Sequence, residues 1–357
     1  MKSFRLMGLM SGTSLDGLDI VDVTFELTDE DRWSFKINNA ETFSFDEEIS
    51  TKLKNVTTLN SSDLTCFSSQ LGKYYGQKVN AFILKYKIEK DELLAVSSHG
   101  HTVYHQPKKG YTLQIGNGPE GAIISGLEWI CDFRTKDVAL GGNGAPLVPI
   151  GDKLLFSEYA DGFLNLGGFS NLTYQENKQW KAYDVSPVNL ILNHLSKTIS
   201  NLSYDKDGEL GKKGKLDTKL LSKLNALSYY SESAPKSLGV EWLNEFFLPI
   251  IHDSNTGVNE LTTVYHHIAE QVSLAIRNSK LKSVLITGGG AKNKFLIELI
   301  KEKSAIDLLI PDEDIIDFKE AVVFAFLGLL RKLNKTNVIS SVTGAKNDSV
   351  SGIIHRP

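Results

Sequence analysis

Phe4-Arg5-Leu6-Met7-Gly8-Leu9-Met10-Ser11-Gly12-Thr13-Ser14-Leu15-Asp16-Gly17-Leu18-Asp19 is an apolar run that breaks into a turn rich in glycine, hydroxyls and aspartate. Beyond it Val21, Val23, Phe25 and Leu27 alternate with Asp22, Thr24 and Glu26, the period of a half-buried strand. Trp33, Phe35 and Ile37 continue as a third strand, so the chain opens on a β-meander. In the turn, glycine lets backbone N–H groups approach an anion, and Thr13 and Ser14 add hydroxyl donors. Asp16 and Asp19 suit Mg²⁺, bound directly or through water. A plain hairpin turn has the same composition.

The pattern returns in mid-chain. Phe163-Leu164-Asn165-Leu166 reads as a strand, Gly167-Gly168-Phe169-Ser170 as a turn and Asn171-Leu172-Thr173-Tyr174 as the return strand, with a third at Trp180 to Tyr183. Ser186-Pro187 has the form of a helix start, an N-cap followed by proline in the first turn. Between the two meanders, Leu64, Phe67, Leu71, Tyr75, Val79 and Phe82 mark a long helix capped at Ser61 or Ser62, and Leu93 to Ser98 a buried strand. Later helices are expected near Leu216–Leu227, Val240–His252, Leu261–Asn278, Phe295–Lys303 and Glu320–Leu333. No close internal sequence repeat accompanies the repeated pattern, which indicates a duplicated α/β unit with a cleft between the halves. At roughly 100–200 residues per domain, 357 residues suit two domains. The expected division is 1–131 with 338–357 as the N-terminal unit and 132–337 as the C-terminal one.

Two further places suit chemistry. Thr287-Gly288-Gly289-Gly290-Ala291-Lys292-Asn293 follows a strand at Ser283–Thr287 and precedes a helix, where glycines admit a flat ring or a phosphate. Its spacing is not GxGxxG, and no GxxxxGK[ST] occurs in the chain, which excludes a Walker-type phosphate loop. Asp184 ends a strand just before a helix, at a position open equally to a cleft carboxylate and to a helix-entry aspartate. His99, His101 and His105 lack a cysteine or acidic partner at ligand spacing. Asp312, Glu313, Asp314 and Asp317 read as a solvated loop.

Composition narrows the class. Hydrophobic residues make up 41% and charged residues 23%, and the net charge is −4 from 39 basic and 43 acidic residues, so nothing marks a nucleic-acid surface. The longest apolar run, Ala321 to Leu330, is about half a membrane span, and the N-terminal stretch is too short and too interrupted for a signal peptide. Cys66 and Cys131 form no CxxC, which favours a reducing cytoplasm over a disulfide or zinc scaffold. A homodimer is left open.

Together these blocks resemble the anhydro-N-acetylmuramic acid kinase family. Met10-Ser11-Gly12-Thr13-Ser14-Leu15-Asp16-Gly17-Leu18-Asp19 is similar to its opening signature. Ser98-His99-Gly100-His101-Thr102-Val103, Asp132-Phe133-Arg134 and Ala139-Leu140-Gly141-Gly142-Asn143-Gly144-Ala145-Pro146-Leu147-Val148-Pro149 follow in family order. So do Asn165-Leu166-Gly167-Gly168-Phe169-Ser170-Asn171, Ala234-Pro235-Lys236-Ser237 and the Thr287–Asn293 block. The resemblance implies the duplicated actin/hexokinase-like (ribonuclease H-like) fold, with ATP and Mg²⁺ as cofactors. It implies phosphate contacts at Gly12 through Asp19 and at Gly167, Gly168, Ser170 and Asn171, and an adenosine loop at Gly288, Gly289, Gly290 and Asn293. The base aspartate of the family matches Asp184. The implied reaction opens the anhydro ring of 1,6-anhydro-N-acetylmuramic acid with water and phosphorylates it to N-acetylmuramic acid 6-phosphate, a step of cell-wall sugar recycling. Ser186 and Val188 stand where the family has glycines, His101 where it has glutamine and Asn117 where it has aspartate. Kinases of other sugars and non-catalytic nucleotide switches share the fold and stay open as alternatives.

Arg134, with Glu320 and His99, is the expected sugar-binding set. A muramic acid derivative carries a lactyl carboxylate, and the planar fork of arginine bonds both its oxygens. A structural ion pair of Arg134 with Asp137 is the competing expectation.

Overall fold

The computed structural model describes residues 1–357 other than Thr13, Ser14, Asp16, Pro235, residues 253–256 and the side chain of His252. Two compact units emerge, Met1–Phe156 with Phe318–Pro357, and Ser157–Asp317.

In the first unit β1 (Lys2–Ser11), β2 (Leu18–Leu27) and β3 (Trp33–Phe43) form the expected antiparallel meander. β4 (Ala95–Ser98) lies parallel to β1 on its other side. β5 (His101–Gln106) and β6 (Tyr111–Ile115) make a separate two-stranded sheet. β7 (Trp129–Cys131) runs parallel to β4. In the second unit β8 (Gly162–Leu166), β9 (Phe169–Glu176) and β10 (Gln179–Pro187) repeat the meander. β11 (Ser283–Thr287) is parallel to β8, and β12 (Asp307–Leu309) is parallel to β11. The first sheet reads β7-β4-β1-β2-β3, extended at β7 by β13 (Ile353–His355), and the second reads β12-β11-β8-β9-β10. Strand order and direction are the same in both, so each unit is a ribonuclease H-like sheet and the chain is the duplicated actin/hexokinase-like fold.

Each sheet is packed by helices whose spacing was visible in the sequence. Helix Ser61–Tyr86 buries Phe67, Leu71, Tyr75, Val79 and Phe82 against Met7 and Leu9 of β1. Each such side chain contributes about 1.5–3 kcal/mol. Its cap is Asn60, one residue before the expected serines, whose side chain accepts from the Asp63 N–H. Gly8 belongs to the alternate face of β1, and a Cβ there would stand 2.1 Å from the Ala321 carbonyl oxygen in helix Glu313–Lys332. In the second unit helix Val258–Asn278 packs Val264, Ile268 and Val272 into one core with Leu172, Tyr174 and Val185 of the sheet.

Three expectations are corrected. The boundaries at 131/132 and 337/338 fall inside the first unit. Asp137, fully buried, accepts from the Gly144 N–H at 2.7 Å and the Thr343 hydroxyl at 2.8 Å, which binds residues 132–156 to the C-terminal segment. The helix expected at Ser186-Pro187 begins at Asn189, because β10 continues through Pro187. The acidic stretch is no loop: Glu313 and Asp314 form the first turn of a helix, and Asp312 accepts from the Ile315 N–H.

Candidate active site

The candidate residues fall into two groups, one in each unit. In the second unit they gather at one edge of the sheet, where β8 and β11 end and β9 turns back. Parallel strands present ligands at their carboxyl ends. The turn Gly167–Gly168 is built by the start of the following helix: the Val188 N–H donates to the Gly168 carbonyl at 2.8 Å and the Asn189 N–H to the Gly167 carbonyl at 3.1 Å. These carbonyls cap helix Asn189–Ser200, whose N-cap Val188 has no polar side chain to offer. Asn189 also donates from Nδ2 to the Leu166 carbonyl at 3.0 Å. Ser170 is committed to the sheet, its buried hydroxyl donating to the Ser186 carbonyl and accepting from the Ser186 N–H, both at 3.1 Å.

The loop after β11 packs against the end of β8. A Cβ at Gly288, whose φ is +80°, would stand 2.4 Å from Asn165 Oδ1, and one at Gly290 would stand 2.7 Å from Leu166 Cβ. Gly289 differs: it is exposed, and nothing lies nearer to its Cβ position than Asn189 Nδ2 at 3.5 Å. Asn293 accepts from the Leu296 N–H as the cap of helix Lys294–Ser304 and donates to the Tyr265 hydroxyl at 2.8 Å. Asn171 lies opposite Asp184 in the β9–β10 register, so Asp184 stands at this same edge. Its Oδ2 accepts from the Leu238 N–H at 2.8 Å. Burial pushes the carboxyl up to about 6, against the pull of that N–H.

The first-unit residues lie around the end of β1. Of the turn, Thr13, Ser14 and Asp16 lie outside the described residues. Gly17 sits so close to β3 that a Cβ would stand 2.6 Å from the Phe43 carbonyl oxygen. Gly12 accepts from the Leu15 N–H at 3.3 Å, Leu15 takes a left-handed φ of 60°, and Leu18 pairs with Ser11 as β2 begins. Asp19 Oδ1 accepts from the Thr42 hydroxyl at 2.6 Å. Ser11 and His101, both buried, share a 2.9 Å hydrogen bond, and burial takes the His101 imidazole down to about 4.

His99 and Arg134 are in direct contact. Arg134 Nε and Nη2 point at His99 Nε2 at 3.1 and 3.0 Å, and Nη1 donates to the Gly144 carbonyl at 2.7 Å. Burial, then the Arg134 charge, keep His99 well below the ordinary histidine range, and Nε2 is the nitrogen that faces the Arg134 donors. Burial lowers Arg134 to about 10, while Glu320 and then Asp137 act on it from a distance to raise it. It stays a cation, yet neither carboxylate makes an ion pair with it: Asp137 is spent on Gly144 and Thr343. Glu320 is raised by burial, opposed by Arg134 and Lys319. The first unit thus brings Arg134, His99 and Glu320 into electrostatic reach of one another. No pattern in the sequence pointed to Asn189 or to the Leu238 N–H. The block at 234–237 marked only the stretch before Leu238.

A carboxylate within β10 and glycine turns on a duplicated ribonuclease H-like sheet suit a sugar kinase. The family model described as anhydro-N-acetylmuramic acid kinase matches residues 4–357, and the chain belongs to that family. An anhydro-N-acetylmuramic acid kinase of Shewanella loihica is 32% identical, covering 99% of this chain and 98% of its own. One of Mannheimia succiniciproducens is 32% identical over 99% of both, and one of a Sulfurovum species is 30% identical over 99% of this chain and all of its own.

Proposed function

We propose that this chain uses ATP to convert 1,6-anhydro-N-acetylmuramic acid and water to N-acetylmuramic acid 6-phosphate and ADP. The observation that carries the reading is Asp184, a part-buried carboxylate of β10 with one oxygen held by the Leu238 N–H. Water is a weak nucleophile until a base takes its proton, and a placed carboxylate contributes about 10²–10⁴ in rate. In this reading Asp184 takes that proton as the water oxygen bonds to the anomeric carbon. The bond from that carbon to O6 breaks, and O6 takes the γ-phosphoryl group as ADP leaves.

ATP fits the second-unit edge on the exposed face of Gly289, where a Cβ would meet only Asn189 Nδ2, at 3.5 Å. Mg²⁺, when bound, neutralises charge on the phosphates. Asp19 fits a role through water, since its Oδ1 already accepts from Thr42; Asp16 lies outside the described residues. Arg134 is proposed to meet the lactyl carboxylate, supported by its charge and by the lack of an ion-pair partner among the described residues, with Glu320 and His99 beside it. Cys66 and Cys131 are both free thiols, which suits the reducing cytoplasm as the location.

The test is ATP consumption against a panel of sugars that includes the anhydro sugar, its analogue without the lactyl group, glucose and N-acetylglucosamine. Turnover is expected with the anhydromuramic sugar above all others. Preference for another sugar would replace the substrate, and no sugar-dependent turnover would end the reading.

A further inference from the structure

Asp184 is held by three residues about 50 positions later in the chain, Tyr229, Lys236 and Leu238. Pairing between β10 and β9 is irregular between Asp184 and Ser186, so the ladder alone does not fix the direction of this carboxylate. Three contacts from residues 229–238 do. The Tyr229 hydroxyl donates to the Asp184 carbonyl at 2.6 Å. The Leu238 N–H donates to Oδ2 at 2.8 Å. The Asp184 N–H donates to the Lys236 carbonyl at 3.2 Å. The stretch is also tied to itself: Lys236 Nζ donates to the Tyr229 carbonyl at 2.9 Å and lies 4.5 Å from the centre of the Tyr229 ring. Trp242 packs on that ring at 5.4 Å.

We propose that Tyr229, Lys236 and Leu238 form a clamp that aims the Asp184 carboxylate, with Tyr229 and Lys236 as positioning residues for the base. The proposal rests on the reading of Asp184 as that base. The clamp holds the backbone of Asp184 on both sides of its Cα and one carboxylate oxygen, which leaves rotation about the side chain little freedom. The other oxygen makes no hydrogen bond among the described residues and is the one available to water. Misplacing a catalytic group by about 1 Å can cost 10²-fold in rate, so a clamp of this kind acts on turnover without touching substrate.

Titratable groups around the clamp are Tyr230 and Glu232 of the same stretch, Tyr183 of β10, and Tyr229 and Lys236 themselves. The Leu238 N–H is the contact that holds the carboxyl down against burial. Loosening the clamp therefore raises the pH at which Asp184 ionises. A cavity of about 290 Å³ borders Lys236, and methionine is shorter than lysine.

Tyr229→Phe keeps the ring and removes only the hydroxyl. It is expected to lower kcat about tenfold, with the KM for ATP within about twofold, and to move the acid limb of kcat/KM to higher pH. Placed on Asp184→Asn, it should cost nothing further, because a residue acting through Asp184 has nothing left to aim. Lys236→Met gives the same readouts if Tyr229→Phe does not fold. The clamp is wrong if Tyr229→Phe leaves turnover and acid limb unchanged, or if it lowers the residual turnover of Asp184→Asn by the factor seen in the wild type. Near-normal turnover in Asp184→Asn alone would instead remove the base assignment beneath it.

Discussion

Asp184 is raised from an ordinary 3.8 to about 6 by burial, and that shift has two opposite consequences. For chemistry it poises the base close to neutrality, where proton transfer is efficient. The carboxylate must be ionised to take the proton, so kcat/KM is expected to fall below about pH 6, and a limb near pH 4 would place the group outside the reaction. For stability the sign is reversed. The folded state holds its proton more tightly than the unfolded chain, so this group costs stability as pH rises from about 4 through about 6, and the cost is complete above that. Asp184→Asn is therefore expected to be more stable than the wild type at pH 8, by at least about 1 kcal/mol, and no more stable at pH 4. Denaturant titration at the two values checks it. Arg134 is the other residue whose environment asks for a ligand. Arg134→Ala removes a charge-assisted contact worth about 1.5–3 kcal/mol, or roughly 10- to 150-fold in affinity. That loss should fall on the anhydromuramic sugar and spare both ATP and the analogue without the lactyl group. Equal weakening of both sugars would show that Arg134 does not read the carboxylate.

The elements show what could be read in advance and what could not. Strand alternation and helix spacing are local, so both meanders and the Phe67–Phe82 face were legible. The loop Gly288–Gly290 was legible as a site, but the division of labour inside it was not. Gly288 and Gly290 are held by packing on Asn165 and Leu166, more than 120 residues earlier, while a Cβ at the exposed Gly289 would meet only Asn189 at an ordinary 3.5 Å. Gly289→Val thus separates the two roles. It is expected to leave circular dichroism and melting unchanged and to weaken ATP binding at least about tenfold, or ~1.4 kcal/mol; unchanged affinity by calorimetry would make the loop a turn only. The helix start missed at Ser186-Pro187 has the same long-range origin. Ser186 is locked to Ser170 across the sheet, and the orphan amides beyond it are satisfied by Gly167 and Gly168, so no side-chain cap was needed and none could be read. The clamp of Tyr229, Lys236 and Leu238 left no pattern to read, since its meaning lies in contacts with a strand about 50 residues away.

For the whole molecule, the repetition of strand order was legible as a pattern, while the border between units was not. A border is decided by which segments share a core, and Asp137 with Thr343 shares one across about 200 residues. The first unit is consequently discontinuous: Ser157–Asp317 is inserted into it, and its remaining part, Phe318–Pro357, comes afterwards in the chain. On the ribosome that order becomes a delay. At about 5–20 residues per second, the insertion takes roughly 8–32 s to make. Throughout that time β1 waits for the helix that will press Ala321 against Gly8, and β7 waits for β13. The second unit can finish first, while the N-terminal sheet lacks β13 and the Gly8 face of β1 stands without its helix. Its successful biogenesis then depends on what shields that surface during synthesis, and a shortage of chaperone should be felt by the first unit before the second.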